Sequence, residues 1–496
     1  MNQDKNIYIA LSFGPIDRII GYSKSTRAIW ASSYMFSFLA KHIVYGYFQR
    51  PEVEFLKPSI SEFMFMKSDG VGRFPDQYVL RTKKDIKIEE IRETCDKTIG
   101  ELADNMAEVL KGVKKEDIFA YLKRALRIVI IKKVYKQDKS DKEVVEDMQE
   151  MMSYVECRDS YNAKETRNYL SEYFESVTNT SLLRCDAVNK NDKNLGTVRL
   201  FDTILECAAG DEYKNKKAAL LKGECDNQLK PYQKYIAFVS ADGDHFGKTL
   251  AAKGKDALGV FNEYNDKIRD TVANYGGQVI YQGGDDILFF APLYNTYNGD
   301  GGGKIDIFQL IEKIDSAFSD ILKKYEKTLN FGDLRPSLSY GVAISYYKHP
   351  MGEIKKESEG LLDELKENGR NKVSWKVRKH SGQTFSAVFD KSGDEYSKNV
   401  TFISDCLAQE GDFLHSVTHW LMAKEEQLSL ILSVHENRTK KLSNFFKNSF
   451  DEGVHGIKQD FLTKVQKYLL TFPTDKGIKM LHVLMRYVEL LISKRK

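Results

Sequence analysis

Three signatures that assign many chains to a class are missing from this one. No Cys-x-x-Cys pair occurs, and the six cysteines (Cys95, Cys157, Cys185, Cys207, Cys225, Cys406) are widely spaced, so a structural zinc knuckle is not expected. No run of about 18 apolar residues is present, which argues against a helical membrane span. The glycine-rich stretch Asn298-Gly299-Asp300-Gly301-Gly302-Gly303 is not followed by Gly-Lys-Ser/Thr, so it is not a P-loop. Excess charge is missing too. Lys plus Arg is 75 and Asp plus Glu is 71, a net +4, unlike a free-standing nucleic-acid binder but compatible with local basic patches in a ribonucleoprotein. Scattered cysteines and no signal peptide make a reducing cytoplasm the expected location. A chain of 496 residues is expected to hold about two to four domains and to bury ample core.

What is present is a pair of acidic tips. Gly283-Gly284-Asp285-Asp286 lies between Gln278-Val279-Ile280-Tyr281-Gln282 and Ile287-Leu288-Phe289-Phe290. Both flanks have the β-branched and aromatic character of strands. The two glycines permit the positive φ values of a tight hairpin turn. Upstream, the buried-strand pattern Tyr235-Ile236-Ala237-Phe238-Val239-Ser240 runs into Asp242-Gly243-Asp244-His245-Phe246-Gly247. Residues two apart on a strand share a face, so Asp242 and Asp244 are expected to point the same way. Between the tips, Ala257 to Val272 reads as a helix. A strand, a helix and a hairpin in that order can bring the carboxylates together, and such a cluster is costly without a cation. Mg²⁺ (or Mn²⁺), an oxygen-seeking ion, is its natural occupant.

Further on, Ser337 to Ser345 alternates as a strand, and Glu359 to Val373 contains Leu365-Lys366-Glu367-Asn368-Gly369-Arg370-Asn371. This segment resembles the closing helix and loop of GGDEF-type cyclase palms, in which a helical lysine reaches the triphosphate; Lys366 holds the matching position. The order of these motifs resembles the second palm of the large polymerase-cyclase subunit of type III CRISPR effectors, most closely the type III-B (Cmr) branch. Ile7 to Leu11, the Gly14-Pro15 turn and Thr26-Arg27-Ala28-Ile29-Trp30-Ala31-Ser32-Ser33-Tyr34 resemble the first palm of the same subunit. That helix also reads as amphipathic core, since Ile29, Trp30, Tyr34, Phe38 and Leu39 recur at helical spacing. None of the nine histidines precedes an aspartate, so the histidine-aspartate nuclease domain of larger members is not expected, and the palm becomes the enzymatic candidate.

The resemblance implies an α+β chain with two ferredoxin-like (palm) domains, a helical insert and an all-helical C-terminal domain. The expected boundaries are 1–83 for the first palm, 84–230 for a charged helical region that can return to it, 231–390 for the second palm and 391–496 for the helical end. Thr98 to Leu110 and Asp117 to Val134 show helical periodicity, Lys132 to Glu146 reads as a solvated face or loop, and Phe402–Leu407, Phe413–Val434, Thr439–Phe450 and Gly477–Ile492 read as helices. His415 and His419 stand at a spacing that can bind metal, but without the Glu of His-Glu-x-x-His.

The resemblance also implies a function. Asp242 and Asp285 would hold two Mg²⁺ ions, supported by Asp286. Gly243, Gly247, Gly283 and Gly284 would let phosphates approach the backbone, with Asp244 and Lys366 also at the nucleotide. Phe246 either packs near the base or fills the core. ATP would be the donor, and the product a cyclic oligoadenylate or an AMP conjugate of S-adenosylmethionine. Asp69 in Lys67-Ser68-Asp69-Gly70 is the candidate acceptor contact. The expected partners are other Cmr subunits, including helical small subunits at the C-terminal domain, with CRISPR RNA and target RNA. Two alternatives stand beside this: a stand-alone GGDEF-like dinucleotide cyclase, and a non-catalytic palm scaffold of a ribonucleoprotein.

Overall fold

A computed structural model describes residues 6–492 apart from 22, 24, 61, 67–73, 136–138, 158–166, 177–200, 202, 222–228, 246–254, 284, 296–304, 330–335, 410 and 451–457. Strands β1 (Asn6–Gly14), β2 (Val53–Lys57), β3 (Gln77–Thr82) and β4 (Arg127–Tyr135) form an antiparallel sheet in the order β2-β3-β1-β4. Strands β5 (Tyr235–Asp244), β6 (Gln278–Gly283), β7 (Asp286–Pro292), β8 (Ser337–Tyr346), β9 (Lys372–Arg378) and β10 (Thr384–Asp390) form a second sheet in the order β10-β9-β8-β5-β7-β6. Its β8–β9 pair is parallel. Without β9 and β10, the second order repeats the first. Each unit is a strand, a helix, a hairpin, a helix and a strand, with the first strand central, which is the ferredoxin-like arrangement. The chain is therefore α+β, with two palm-like units and a helical C-terminal region, as expected.

The first unit runs past residue 83. Helices Ile88–Val109 and Lys115–Ala125 lead into β4, which pairs with β1 from Arg127 to Tyr135. The helical periodicity read over Asp117 to Val134 thus holds only to Ala125. Arg127-Ile128-Val129-Ile130-Ile131 is β-branched, and the strand follows that preference. In Lys132 to Glu146, read as a solvated face or loop, the described residues form the end of β4 and the start of helix Asp141–Glu156, and most of them are half-buried or exposed. That helix opens with a capping box, in which the Ser140 side chain accepts from the Glu143 amide and Glu143 reaches back to the Ser140 amide. Helix Gln459–Thr471 is an addition to the C-terminal helices read from sequence.

Helix Thr26–Phe48, capped by the Ser25 side chain on the Ala28 amide, is buried on nearly every side because it is sandwiched. Trp30 and Tyr34 stack with ring centres 5.2 Å apart in the first core. Ile29 faces the other way and joins Phe238, Ile280 and Phe290 of the second sheet. The two units thus share apolar surface rather than a linker. At the far side of the second sheet, helix Asp475–Ile492 sends Tyr487 against Phe308 and Trp375, at 5.1 and 5.6 Å between ring centres.

One close approach sets the geometry of the second unit. Helix Met351–Glu367 lies directly on β8 at Gly341, where a Cβ would stand 2.0 Å from the Ser358 carbonyl oxygen and 2.7 Å from the Leu362 nitrogen. The buried hydroxyls of Ser240 and Ser358 meet beside it at 2.8 Å. Small residues here seat the helix, and its last turn carries Lys366.

Two glycine substitutions with opposite expected signs test this seating. Gly341→Ala should cost about 1–3 kcal/mol, the usual penalty of forcing atoms into a packed contact. Gly360→Ala, in the same helix with nothing within 4 Å of the added carbon, should instead stabilise by roughly 0.5–1 kcal/mol. Urea unfolding of both variants measures the pair, and equal effects would refute the seating.

Candidate functional site

The site forms where strand ends converge. Asp242 lies near the C-terminal end of β5, Asp285 in the β6–β7 turn and Asp286 at the start of β7. The Gly283–Asp286 pair closes the hairpin. Its first glycine leaves room for a neighbouring side chain and does not rely on positive φ. Gly283 keeps an ordinary φ, but a Cβ there would lie 1.9 Å from the Tyr281 hydroxyl, so the expected positive φ is corrected at this position. One carboxylate oxygen from each of Asp242, Asp285 and Asp286 lies within 4.8 Å of the others. Among the described residues this is the one group of acidic, His or Cys side chains disposed to hold a metal ion.

The electrostatics follow from crowding like charges. Desolvation first, and then the charge of Asp242, push the Asp285 carboxyl up to about 6. Asp286 is raised as well, by desolvation and by its hydrogen bond and repulsion with Asp242. Two cations act the other way on Asp285: Lys366, and Lys57 at the end of β2 in the first unit. Lys366 Nζ stands 3.5 Å from Asp242 Oδ2. An oxygen-only donor set whose members resist ionising together fits a hard divalent cation such as Mg²⁺ or Mn²⁺.

Asp244 does something else. Its carboxylate is fully buried and accepts from Ser337 Oγ at 2.6 Å, Ser339 Oγ at 2.8 and 2.9 Å, and the Asn371 amide at 2.9 Å. These bonds occupy it with β8 and the turn before β9, so it supports the site and does not join the metal-capable group. Sequence reasoning missed Arg370, whose Nη1 lies 3.9 Å from Asp242 and 3.8 Å from Asp244. Its signal was the spacing of four from Lys366 at a helix end. Gly243 is buried in β5. Gly247, Phe246, Gly284 and Asp69 lie outside the described residues. His415 and His419 lie on helix Gly411–Ala423. His415 Nδ1 is 3.2 Å from Glu489, and the two rings meet edge to face at 4.3 Å. No described helix is long and apolar enough to cross a membrane.

The Asp285 shift has a direct consequence. A carboxyl raised from its usual value near 4 to about 6 costs the metal-free fold stability as pH climbs through that window. In EDTA, Asp285→Asn should therefore gain melting temperature relative to the natural chain between pH 4.5 and 7.5. Millimolar Mn²⁺ at pH 7.5 should raise the melting temperature of the natural chain and leave that of Asp285→Asn/Asp286→Asn unchanged. Equal metal responses in the two would remove these carboxylates from metal binding.

Two stretches of the chain match known families. Residues 235–374 match the family described as Cas10/Cmr2, second palm domain, and residues 8–108 match CRISPR-associated protein Cmr2, N-terminal. The Cmr subunit Cmr2 of Pyrococcus furiosus is 24% identical over 215 residues, which are 36% of this chain and 22% of that protein. The chain thus aligns with about a fifth of that relative's length. The fold is similar to a type III-B Cmr-beta structure in its apo state (TM-score 0.53, 11% identity, 87% of this chain and 76% of that one). It is also similar to a Csm1–Csm4 cassette in complex with one ATP (TM-score 0.51, 11% identity, 99% and 70%). The second-palm match contains Asp242, Asp285, Asp286, Lys366 and Arg370, and the Cmr2 match covers β1 to β3 of the first unit, so the chain is similar to Cas10/Cmr2 proteins over both of its palm-like units.

Proposed function

We propose that this chain is the nucleotidyl-transferase subunit of a type III-B CRISPR effector, using ATP to make a nucleotide second messenger. The observation that carries the reading is the Asp242–Asp285–Asp286 cluster with Lys366 beside it. Resemblance to a cassette holding ATP supports the fold of such a site. Divalent ions bound by the three carboxylates would polarise the α-phosphate and lower the pKa of the attacking hydroxyl. The protein's own part is positioning and electrostatics. Asp242, Asp285 and Asp286 hold their oxygens on two adjacent strand ends, so that the reacting groups meet in one geometry. Lys366, on a helix seated by Gly341, offers an ammonium to the triphosphate and the pyrophosphate leaving group. The acceptor is a second ATP, which gives linear or cyclic oligoadenylate, or S-adenosylmethionine, which gives an AMP conjugate. Asp69 is the proposed contact for the cationic acceptor. The proposed partners are other Cmr subunits, with helical small subunits on the C-terminal helices, and CRISPR RNA with target RNA.

The reconstituted complex, given labelled ATP and target RNA with and without S-adenosylmethionine, should release a product whose mass identifies the acceptor. Asp285→Ala/Asp286→Ala should lower its formation by at least about a hundredfold while RNA binding persists, and Asp242→Asn should behave likewise. Wild-type rates in the double variant would overturn the assignment. An RNA-bound complex without any nucleotide product would favour the palm scaffold, and guanine incorporation would favour the dinucleotide cyclase.

A further inference from the structure

Behind the carboxylates lies a second charged group that the proposed chemistry does not use. Lys391, the residue after β10, is buried, with 8% of its side chain exposed. Its ammonium donates to Asp315 Oδ1 at 2.8 Å and to the Leu338 carbonyl at 2.8 Å, and it lies 4.6 Å from the centre of the Tyr340 ring. Asp315 also accepts from the fully buried Tyr340 hydroxyl at 2.9 Å. Burial pushes the Asp315 carboxyl up and the Lys391 amine down, and each opposes the other's shift. A buried pair of this kind contributes little net stability, yet breaking it is costly. Such a pair invites a role beyond stability.

Its backbone supplies one. The Lys391 amide donates to the Asn371 carbonyl at 3.0 Å. The Asn371 amide in turn donates to Asp244 and to Ser339 Oγ, both at 2.9 Å. Asn371 is held at φ +59° and Gly369 at φ +90°, so this short turn sits in the left-handed region and needs outside anchors to stay there. Arg370 lies between those two residues, beside Asp242. Tyr340, Leu338, Ser337 and Ser339 all come from the first half of β8. The strand that floors the site thus also carries the anchors.

We propose that Lys391 and Asp315 are positioning residues for the nucleotide site: their pair pins the Gly369–Asn371 turn and so fixes the Arg370 guanidinium at the edge of the carboxylate cluster. The inference rests on the proposed nucleotidyl transfer only for its kinetic arm. Lys391 ties the end of β10 to helix Ile307–Leu329, which carries Asp315, and Tyr396 of the next helix donates to the Phe308 carbonyl at 2.7 Å. The first C-terminal helix and the nucleotide turn therefore share one anchor.

The test compares the full chain with Lys391→Met, Lys391→Arg, Asp315→Asn and Asp315→Asn/Lys391→Met. Hydrogen exchange of the peptide spanning 366–372 reads the turn without any catalysis. Lys391→Met should speed exchange of the Asn371 amide by about tenfold or more, with the β5 and β7 peptides unchanged. In the reconstituted complex it should raise KM for ATP about tenfold with kcat held within about twofold. Lys391→Arg, which keeps the charge and the donors, should restore both. The double variant removes both charges, so it should regain melting temperature but leave the Asn371 amide unprotected. An amide as protected as in the natural chain in Lys391→Met, or exchange rising equally through the whole second sheet, would overturn the proposal. If the natural chain turns over no ATP, the functional reading fails while the exchange result still decides this one.

Discussion

A fully buried carboxylate is the constraint around which the site is built. Asp244 sits at the end of β5 with no solvent exposure, so every oxygen lone pair must find a protein donor. The donors come from Ser337, Ser339 and the Asn371 amide, residues 93, 95 and 127 positions further along the chain. Leaving such a charge unpaired would cost several kcal/mol. The fold therefore has one acceptable arrangement here: β8 alongside β5 in a fixed register, with the turn before β9 folded over the strand end. Asp242, two residues earlier on β5, inherits that precision without spending its own oxygens on it.

The two units share one topology, yet among the described residues the metal-capable carboxylates lie in the second. Both units place their first strand centrally, between the last strand and the hairpin. In the second unit the carboxylates stand at the end of that strand and in the adjoining hairpin. The first unit contributes Lys57, at the end of its own hairpin strand β2, whose charge lowers the Asp285 carboxyl. Helix Thr26–Phe48 locks the halves through Ile29 and the Phe238–Phe290 surface. A cluster that is hard to ionise thus receives positive charge from both halves, from Lys366 on one side and Lys57 on the other.

Much of this was legible from residue patterns. The acidic hairpin and its partner strand are local features, and strand alternation with turn chemistry is enough to find Asp242, Asp285 and Asp286. What alternation cannot supply is the partner of a side chain. It puts Asp244 on the same face as Asp242 and is silent about serines and a backbone amide from distant segments, so the partners that hold this carboxylate cannot be read from it. β4 was hidden for a related reason. Ile128 to Ile131 is a short apolar run continuing from a real helix, and only pairing with β1 tells strand from helix there. Gly283 misled in a third way. A glycine beside a turn suggests positive φ, whereas here it makes room for the Tyr281 hydroxyl.

The remaining feature is how the site tolerates its own charge. Three carboxylates within 4.8 Å repel strongly, and Lys366 at 3.5 Å and Arg370 at 3.9 Å from Asp242 offset part of that repulsion. Both cations are about one-third exposed on their side chains, so each keeps solvent contact. A divalent ion entering the cluster would repel both cations. Lys366, in the last turn of the helix seated on Gly341, and Arg370, in the turn that follows it, would then compete with that ion for Asp242. Under the proposed nucleotidyl transfer, the same two side chains that offset the charge of the metal-free cluster would be the ones available to phosphate.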